Sequence, residues 1–270
     1  MSNQDHWREI ARATKRALAG NKHQVTLQGQ PYQVAYRARI IKDDRDYAII
    51  KRLATGRKLV FDVGANLGAT SLVMSAVVDP AGQIYAFEAS EAACRVIEEN
   101  MRLNELAGRV QVVNAVMLDK SGQVVDFFWD YTSGGASIIS GYLGHKNPLQ
   151  KASLALDDFV EQKGIMPEFL KVDVEGAERL VLRGMARLLK NGQPTVFVEL
   201  HSWEGQTVVD NASQILPFVN EIGYRMFYLQ QKSWVDEAAI FTGRGRCHVL
   251  LLPQGQEIPD WLNDFDTTTL

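Results

Sequence analysis

Phe61-Asp62-Val63-Gly64-Ala65-Asn66-Leu67-Gly68 is the stretch that decides the fold. An apolar run, Lys58–Val63, enters it, and a helical pattern over 68–78 leaves it. Gly64 permits a tight turn, and its missing Cβ lets a ligand approach the backbone. Gly68 lets the following helix pack closely against the strand. A helix N-terminus leaves free N–H groups and a partial positive charge, which suit a pyrophosphate or an amino-acid carboxylate. The dinucleotide fingerprint is G-x-G-x-x-G. This chain does not match it, because its glycines stand at 64 and 68 only.

Outward from this turn, short apolar runs alternate with helical patterns. The further runs are Gln83–Phe87, Val110–Val116, Phe169–Val174 and Thr195–Leu200, and the helical patterns fit 91–106, 177–190 and 210–222. Strands alternating with helices imply βαβ units and a parallel sheet. Tyr224–Leu229 and Cys247–Leu252 have no long helix between them, which predicts an antiparallel hairpin at the sheet edge. The expected architecture is α/β and Rossmann-like: a mostly parallel, seven-stranded sheet with helices on both faces. Residues 58–270 form the main domain, with an insertion at about 119–160 holding the strand pair Val124–Trp129 and Ser153–Leu156. Residues 1–57 read as a cap, with a helix over 5–19, a hairpin turning near Gly29 and Pro31, and a helix over 44–56.

Open α/β sheets bind ligands beyond the carboxyl ends of their strands, so the acids found there are the candidates. Asp-x-Gly-x-Asn-x-Gly fits the cofactor loop of methyltransferases, with Asp62, Gly64, Ala65, Asn66 and Gly68 as its contacts. Glu88 ends the next run, 20 residues beyond Gly68. An acid so spaced accepts hydrogen bonds from ribose hydroxyls. Asn114 and Ala115 end the third run, where an adenine ring would lie. Asp173 and Glu175 end the fourth, and a strand continuing through Glu175 would put both on one side. Glu178 reads as an acid that caps or solvates the helix start, where negative charge is favoured. Glu199 and His201 end the fifth run.

These blocks resemble the FkbM-type S-adenosylmethionine-dependent methyltransferases. The resemblance rests on 61–68, Ala86-Phe87-Glu88-Ala89, Leu156-Asp157-Asp158-Phe159, Lys171-Val172-Asp173-Val174-Glu175-Gly176-Ala177-Glu178 and Val198-Glu199-Leu200-His201. It covers about 58–203 and is most specific at 171–178 with Val181-Leu182-Arg183-Gly184-Met185. Ala89 stands where related sequences often carry proline. The resemblance implies a class I fold, S-adenosyl-L-methionine as cofactor, and O-methylation of a hydroxyl on a sugar, polyketide or other natural product. It implies no required metal, although paired acids near a loop are a known Mg²⁺ arrangement.

In-line methyl transfer needs mainly alignment, and an aliphatic hydroxyl needs a base within hydrogen-bond reach. His201 and Asp173 are the candidate bases, with Glu175 orienting the hydroxyl and Glu199 holding His201 or the substrate. The loop Ser133-Gly134-Gly135-Ala136-Ser137 is a candidate lid, and Trp129, Tyr131, Tyr142 and Trp203 are candidate stacking residues. The rival readings are a non-catalytic cofactor-binding or scaffolding protein and an NAD-dependent oxidoreductase. The net charge of −3 comes from acids and bases mixed along the chain, with no basic stripe, which argues against nucleic acid. No apolar run approaches the roughly 18–20 residues that cross a bilayer. Met1–Gly20 is too polar for a secretory signal, and two distant cysteines, Cys94 and Cys247, read as buried free thiols. The expectation is a cytoplasmic enzyme acting on a small molecule, with no membrane partner, and with the hairpin and first helix as candidate homodimer surfaces.

Overall fold

The computed structural model describes residues 22–129, 136–138, 148–203 and 205–267. It opens with an antiparallel hairpin, β1 (Lys22–Leu27) and β2 (Gln30–Ala35), and helix α1 (Asp46–Ala54). The hairpin is tied to the main body: Asn104 and Asn100 accept the backbone N–H groups of Gln33 and Ala35 at 3.0 and 2.7 Å. The alternating units follow as β3 (Leu59–Val63), α2 (Ala69–Ser75), β4 (Gln83–Glu88), α3 (Glu91–Leu103) and β5 (Val110–Asn114). The insertion carries β6 (Val116–Met117), β7 (Val124–Trp129), β8 (Ala136–Ser137) and β9 (Leu149–Leu154), which form a separate small sheet. Then come α4 (Leu156–Lys163), β10 (Phe169–Val172), α5 (Glu178–Arg183), α6 (Ala186–Gly192), β11 (Thr195–His201) and α7 (Val208–Glu221). The chain closes with β12 (Tyr224–Tyr228), β13 (Ser233–Trp234), β14 (Arg246–Pro253) and α8 (Trp261–Asp264).

The main sheet runs β13-β12-β14-β11-β10-β3-β4-β5. The five strands from β11 to β5 are mutually parallel, and β14 is antiparallel to both its neighbours. Alternate residues serve opposite faces, as a pleated strand requires. Val60, Ile84, Phe169 and Phe197 join Ile49, Leu72 and Ile97 of α1, α2 and α3 in one core. Phe61, Leu170, Val196 and Val198 join Phe159, Leu182, Leu188 and Ile215 of α4, α5, α6 and α7 in the other. A sheet covered on both faces explains why its central strands read as near-continuous apolar runs.

Some expectations change in detail. The sheet has eight strands rather than seven, because two-residue β13 extends the β12 edge. The antiparallel hairpin expected at the edge is there as β12 and β14; β14 is its inner strand, slotted between β11 and β12 with seven of its eight residues buried. The helical pattern over 177–190 breaks at Gly184 and Met185. A Cβ on Gly184 would stand 2.0 Å from the Leu118 carbonyl oxygen. Asp157 then starts α6 afresh, accepting the N–H groups of Arg187 and Leu188 at 3.0 and 2.7 Å. Cys94 and Cys247 are free and buried. Among the described residues, no helix is long and apolar enough to cross a membrane. The helix expected over 5–19, the loop residues Ser133, Gly134 and Gly135, and Tyr131 and Tyr142 lie outside the described residues.

Candidate active site

Parallel pairing aligns Val172 with both Val63 and Val198, and Val63 with Phe87. The carboxyl ends of β3, β4, β10 and β11 therefore open on one side of the sheet. The turn after β3 is crowded from below. Gly64 has φ +80°, and a Cβ there would stand 1.8 Å from the carbonyl oxygen of Asp173. Only glycine lets the two strand ends approach this closely.

Glu88 locks that turn to β4. Its two carboxylate oxygens accept the N–H groups of Asn66 and Ser90 at 2.8 and 2.7 Å. Burial pushes its pKa up to about 7 against the pull of these N–H groups. Each carboxylate oxygen has a second lone pair, so Glu88 retains acceptor capacity for a pair of hydroxyls. Asn114 does a different job from the one expected. Its amide donates to the Glu88 and Ala89 carbonyls at 2.9 and 3.0 Å, bracing the strand end from outside.

At the end of β10, Lys171 is a buried cation in an otherwise apolar strand. Its Nζ donates to the Gly64 carbonyl at 2.9 Å and lies 3.1 Å from Asp173 and 3.6 Å from Asp62. Burial opposes its charge, yet Asp173 and Asp62 hold its pKa above the ordinary value. The strand ends at Val172, so Asp173 and Glu175 do not share a strand face; the chain turns instead, with Glu175 at φ +51°. The turn still delivers both carboxylates to one partner. His201 Nε2 lies 3.7 Å from Asp173, 3.5 Å from Glu175 and 3.3 Å from Glu199. Its Nδ1 is 2.8 Å from Glu178.

Glu178 is fully buried, not a solvated helix start. It also accepts the Gly176 N–H at 2.8 Å and the Asn211 amide at 2.9 Å. Burial alone would lower the His201 pKa, but hydrogen bonds to Glu178 and Glu199 and the charge of Asp173 raise it to about 11. Four carboxylates thus gather around His201, a setting that favours its protonated form over the proton-accepting one. On β14, Arg246 and His248 stand directly across from His201 and Glu199. Arg246 donates to Glu199 Oε1 at 3.0 Å.

These groups wall two adjoining hollows. The first is lined by Phe87, Glu88, Ala89, Ala115, Met117 and Phe127. The second is lined by Asp46, Tyr47, Lys171, Glu199, His201 and Arg246. Both share Gly64, Asn66, Asp173 and Glu175. The first combines apolar walls with Glu88 and the two shared acids; the second is lined mostly by charged and polar side chains beside Tyr47. Of the expected residues, Ala65 lines the second hollow, while Asp62, Gly68, Asn114 and Trp203 line neither. Asp62 is instead a buried brace, accepting the Ser71 hydroxyl at 2.6 Å.

Sequence reasoning missed Lys171, Glu178, Arg246, His248 and Asp46 as parts of this cluster. A signal existed for three of them. Lys171 interrupts an apolar strand, and Arg246 and His248 alternate with buried apolar positions on another.

Five parallel strands beside an inserted antiparallel one, with a glycine turn locked to an acid on the neighbouring strand, define a class I methyltransferase fold. A family model described as the methyltransferase FkbM domain matches residues 62–226, and the chain belongs to that family. Similar solved structures include a methyltransferase FkbM from Methylobacillus flagellatus KT, at 14% identity and TM-score 0.46. That match covers 73% of this chain but only 44% of the other. An O-methyltransferase from Bacillus cereus in complex with SAH matches at 15% identity and TM-score 0.48, covering 77% of this chain and 80% of the other. Cofactor-bound Rv0187 from MTB matches at 15% identity and TM-score 0.49, covering 81% and 84%. No curated protein matches this chain.

Proposed function

We propose that this methyltransferase moves the methyl group of S-adenosyl-L-methionine to a hydroxyl of a small polar molecule, making it an O-methyltransferase. The observation that carries this reading is the pair of hollows that meet at Gly64, Asn66, Asp173 and Glu175. One suits a nucleoside and the other a polyhydroxyl acceptor, and the reacting atoms would meet at the shared wall. When bound, the cofactor supplies an electrophilic methyl on a positively charged sulfur.

The chain's own residues do the rest. Glu88 accepts the ribose hydroxyls, and Met117 and Phe127 flank the base. Asp173, on the shared wall, accepts the hydroxyl proton as the new O–C bond forms and the S–C bond breaks. Lys171 and His201 hold the Asp173 carboxylate in place, and Glu175 orients the hydroxyl. This favours orientation over strong basicity, in keeping with a reaction whose leaving group is neutral.

The test is transfer of labelled methyl from S-adenosylmethionine to a panel of sugars and other polyols, measured for the parent and for Asp173→Asn. Ether-linked label that disappears in the variant supports the reading. Label on nitrogen or carbon acceptors alone would refute the O-methyl assignment.

A further inference from the structure

His248 and Asp46 take no part in the methyl transfer proposed above, yet both are buried against Glu199, and Asp46 and Glu199 line the ionic hollow. Asp46 comes from α1, Glu199 from β11 and His248 from β14, and all three are more than nine-tenths buried. His248 Nε2 lies 2.9 Å from Asp46 Oδ2 and 3.2 Å from Glu199 Oε2. Despite these distances, Nε2 has no partner in hydrogen-bonding geometry. A ring N–H would have to point close to one oxygen to make that bond. Here neither oxygen meets that condition.

That is the arrangement of atoms converging on a common point. One ligand atom from each residue lies within 4.8 Å of the other two. Ligands of a four-coordinate ion at about 2.0–2.2 Å stand roughly 3.3–3.6 Å apart, so a slight opening of this triangle would seat one. Arg246 occupies the other oxygen of Glu199, Oε1, leaving Oε2 turned toward His248.

We propose that Asp46, Glu199 and His248 form a binding site for one divalent transition-metal ion. One imidazole nitrogen and two carboxylate oxygens suit Mn²⁺ or Zn²⁺, and they are too few for Ca²⁺, which takes six to eight oxygens. Three protein ligands leave a position open. Asp46 and Glu199 both line the ionic hollow, so that position faces the acceptor side. An ion there would bind and polarise an acceptor oxygen. The site stands on the geometry of this triad and does not depend on the methyl-transfer reading.

The test uses the full, untagged chain, stripped with chelator and titrated with Zn²⁺ and Mn²⁺ by calorimetry, with bound metal counted by elemental analysis. One ion per chain is expected. His248→Ala and Asp46→Asn should each weaken it at least about 100-fold, and Asp173→Asn should leave it within about threefold. No stoichiometric ion in the parent overturns the site. So does binding that survives His248→Ala but falls with Asp173→Asn, which would assign the ion to the His201 side. If a variant fails to fold by circular dichroism, Co²⁺ titration of the parent decides. One ion per chain with the visible bands of a nitrogen–oxygen sphere supports the site, and no bound Co²⁺ refutes it.

Discussion

The Nδ1 of His201 stands 2.8 Å from Oε1 of Glu178, a carboxylate with no exposed surface. Glu178 thereby joins three otherwise separate pieces: β11 through His201, the turn after β10 through the Gly176 N–H, and α7 through Asn211. Glu178→Ala strips all three partners at once and leaves a buried imidazolium short of one acid. Breaking a buried pair from one side costs about 3–5 kcal/mol. Urea unfolding should show a loss of that order, whereas a loss below about 1 kcal/mol would show that the contact is incidental.

The ribose contact proposed for Glu88 makes cofactor affinity depend on pH. Burial raises its pKa to about 7. Accepting two ribose hydroxyls favours the ionised form, so binding lowers that pKa and releases a proton. Affinity for S-adenosylmethionine should then rise with pH up to about 7 and level off above it, by roughly tenfold between pH 6 and pH 8. Calorimetry at these two values measures it. In Glu88→Gln the rise should vanish and the affinity should be weak throughout. A parent protein with equal affinity at both pH values would contradict the role given to Glu88.

Asp173→Asn tests the chemistry apart from binding. The amide keeps the size of the side chain and loses its capacity to accept a proton. Turnover should fall at least about 100-fold, while the dissociation constant of the cofactor stays within a few-fold. A variant retaining a third of parental turnover would remove Asp173 as the base.

Asp157 caps α6 with both carboxylate oxygens and lines neither of the two hollows. Asp157→Ala should cost about 1–2 kcal/mol of stability and leave cofactor affinity unchanged. A change in affinity without a change in unfolding midpoint would show that this acid acts on the site rather than on the helix.

The parallel core was legible because a sheet buried on both faces leaves apolar runs long enough to find, as in Phe169–Val172 and Thr195–His201. Gly64 and Glu88 were legible because both stand where a strand ends. What escaped depends on pairing across the sheet. β14 reads as half of an edge hairpin, but only its pairing with β11 sets His248 opposite Glu199. Asp46 reaches the same point from a helix some 150 residues away in sequence from Glu199. Glu178 carries the helix-start acid pattern, and only the fold reveals that its side chain turns inward to His201. The setting of His201 was likewise beyond sequence reasoning, because its four carboxylates converge from the turn after β10, which carries Asp173 and Glu175, from α5 and from β11.

The central claim is that the hollow beside Glu88 holds S-adenosylmethionine. A thermal-shift titration with S-adenosylmethionine, S-adenosylhomocysteine and NAD, on the parent and on Glu88→Ala, tests it most directly. A ligand at 100 times its dissociation constant stabilises the folded state by about 2.7 kcal/mol. The account predicts a rise in melting temperature with the first two ligands, none with NAD, and loss of the rise in the variant. No shift with either sulfur compound, or a shift with NAD alone, would contradict it.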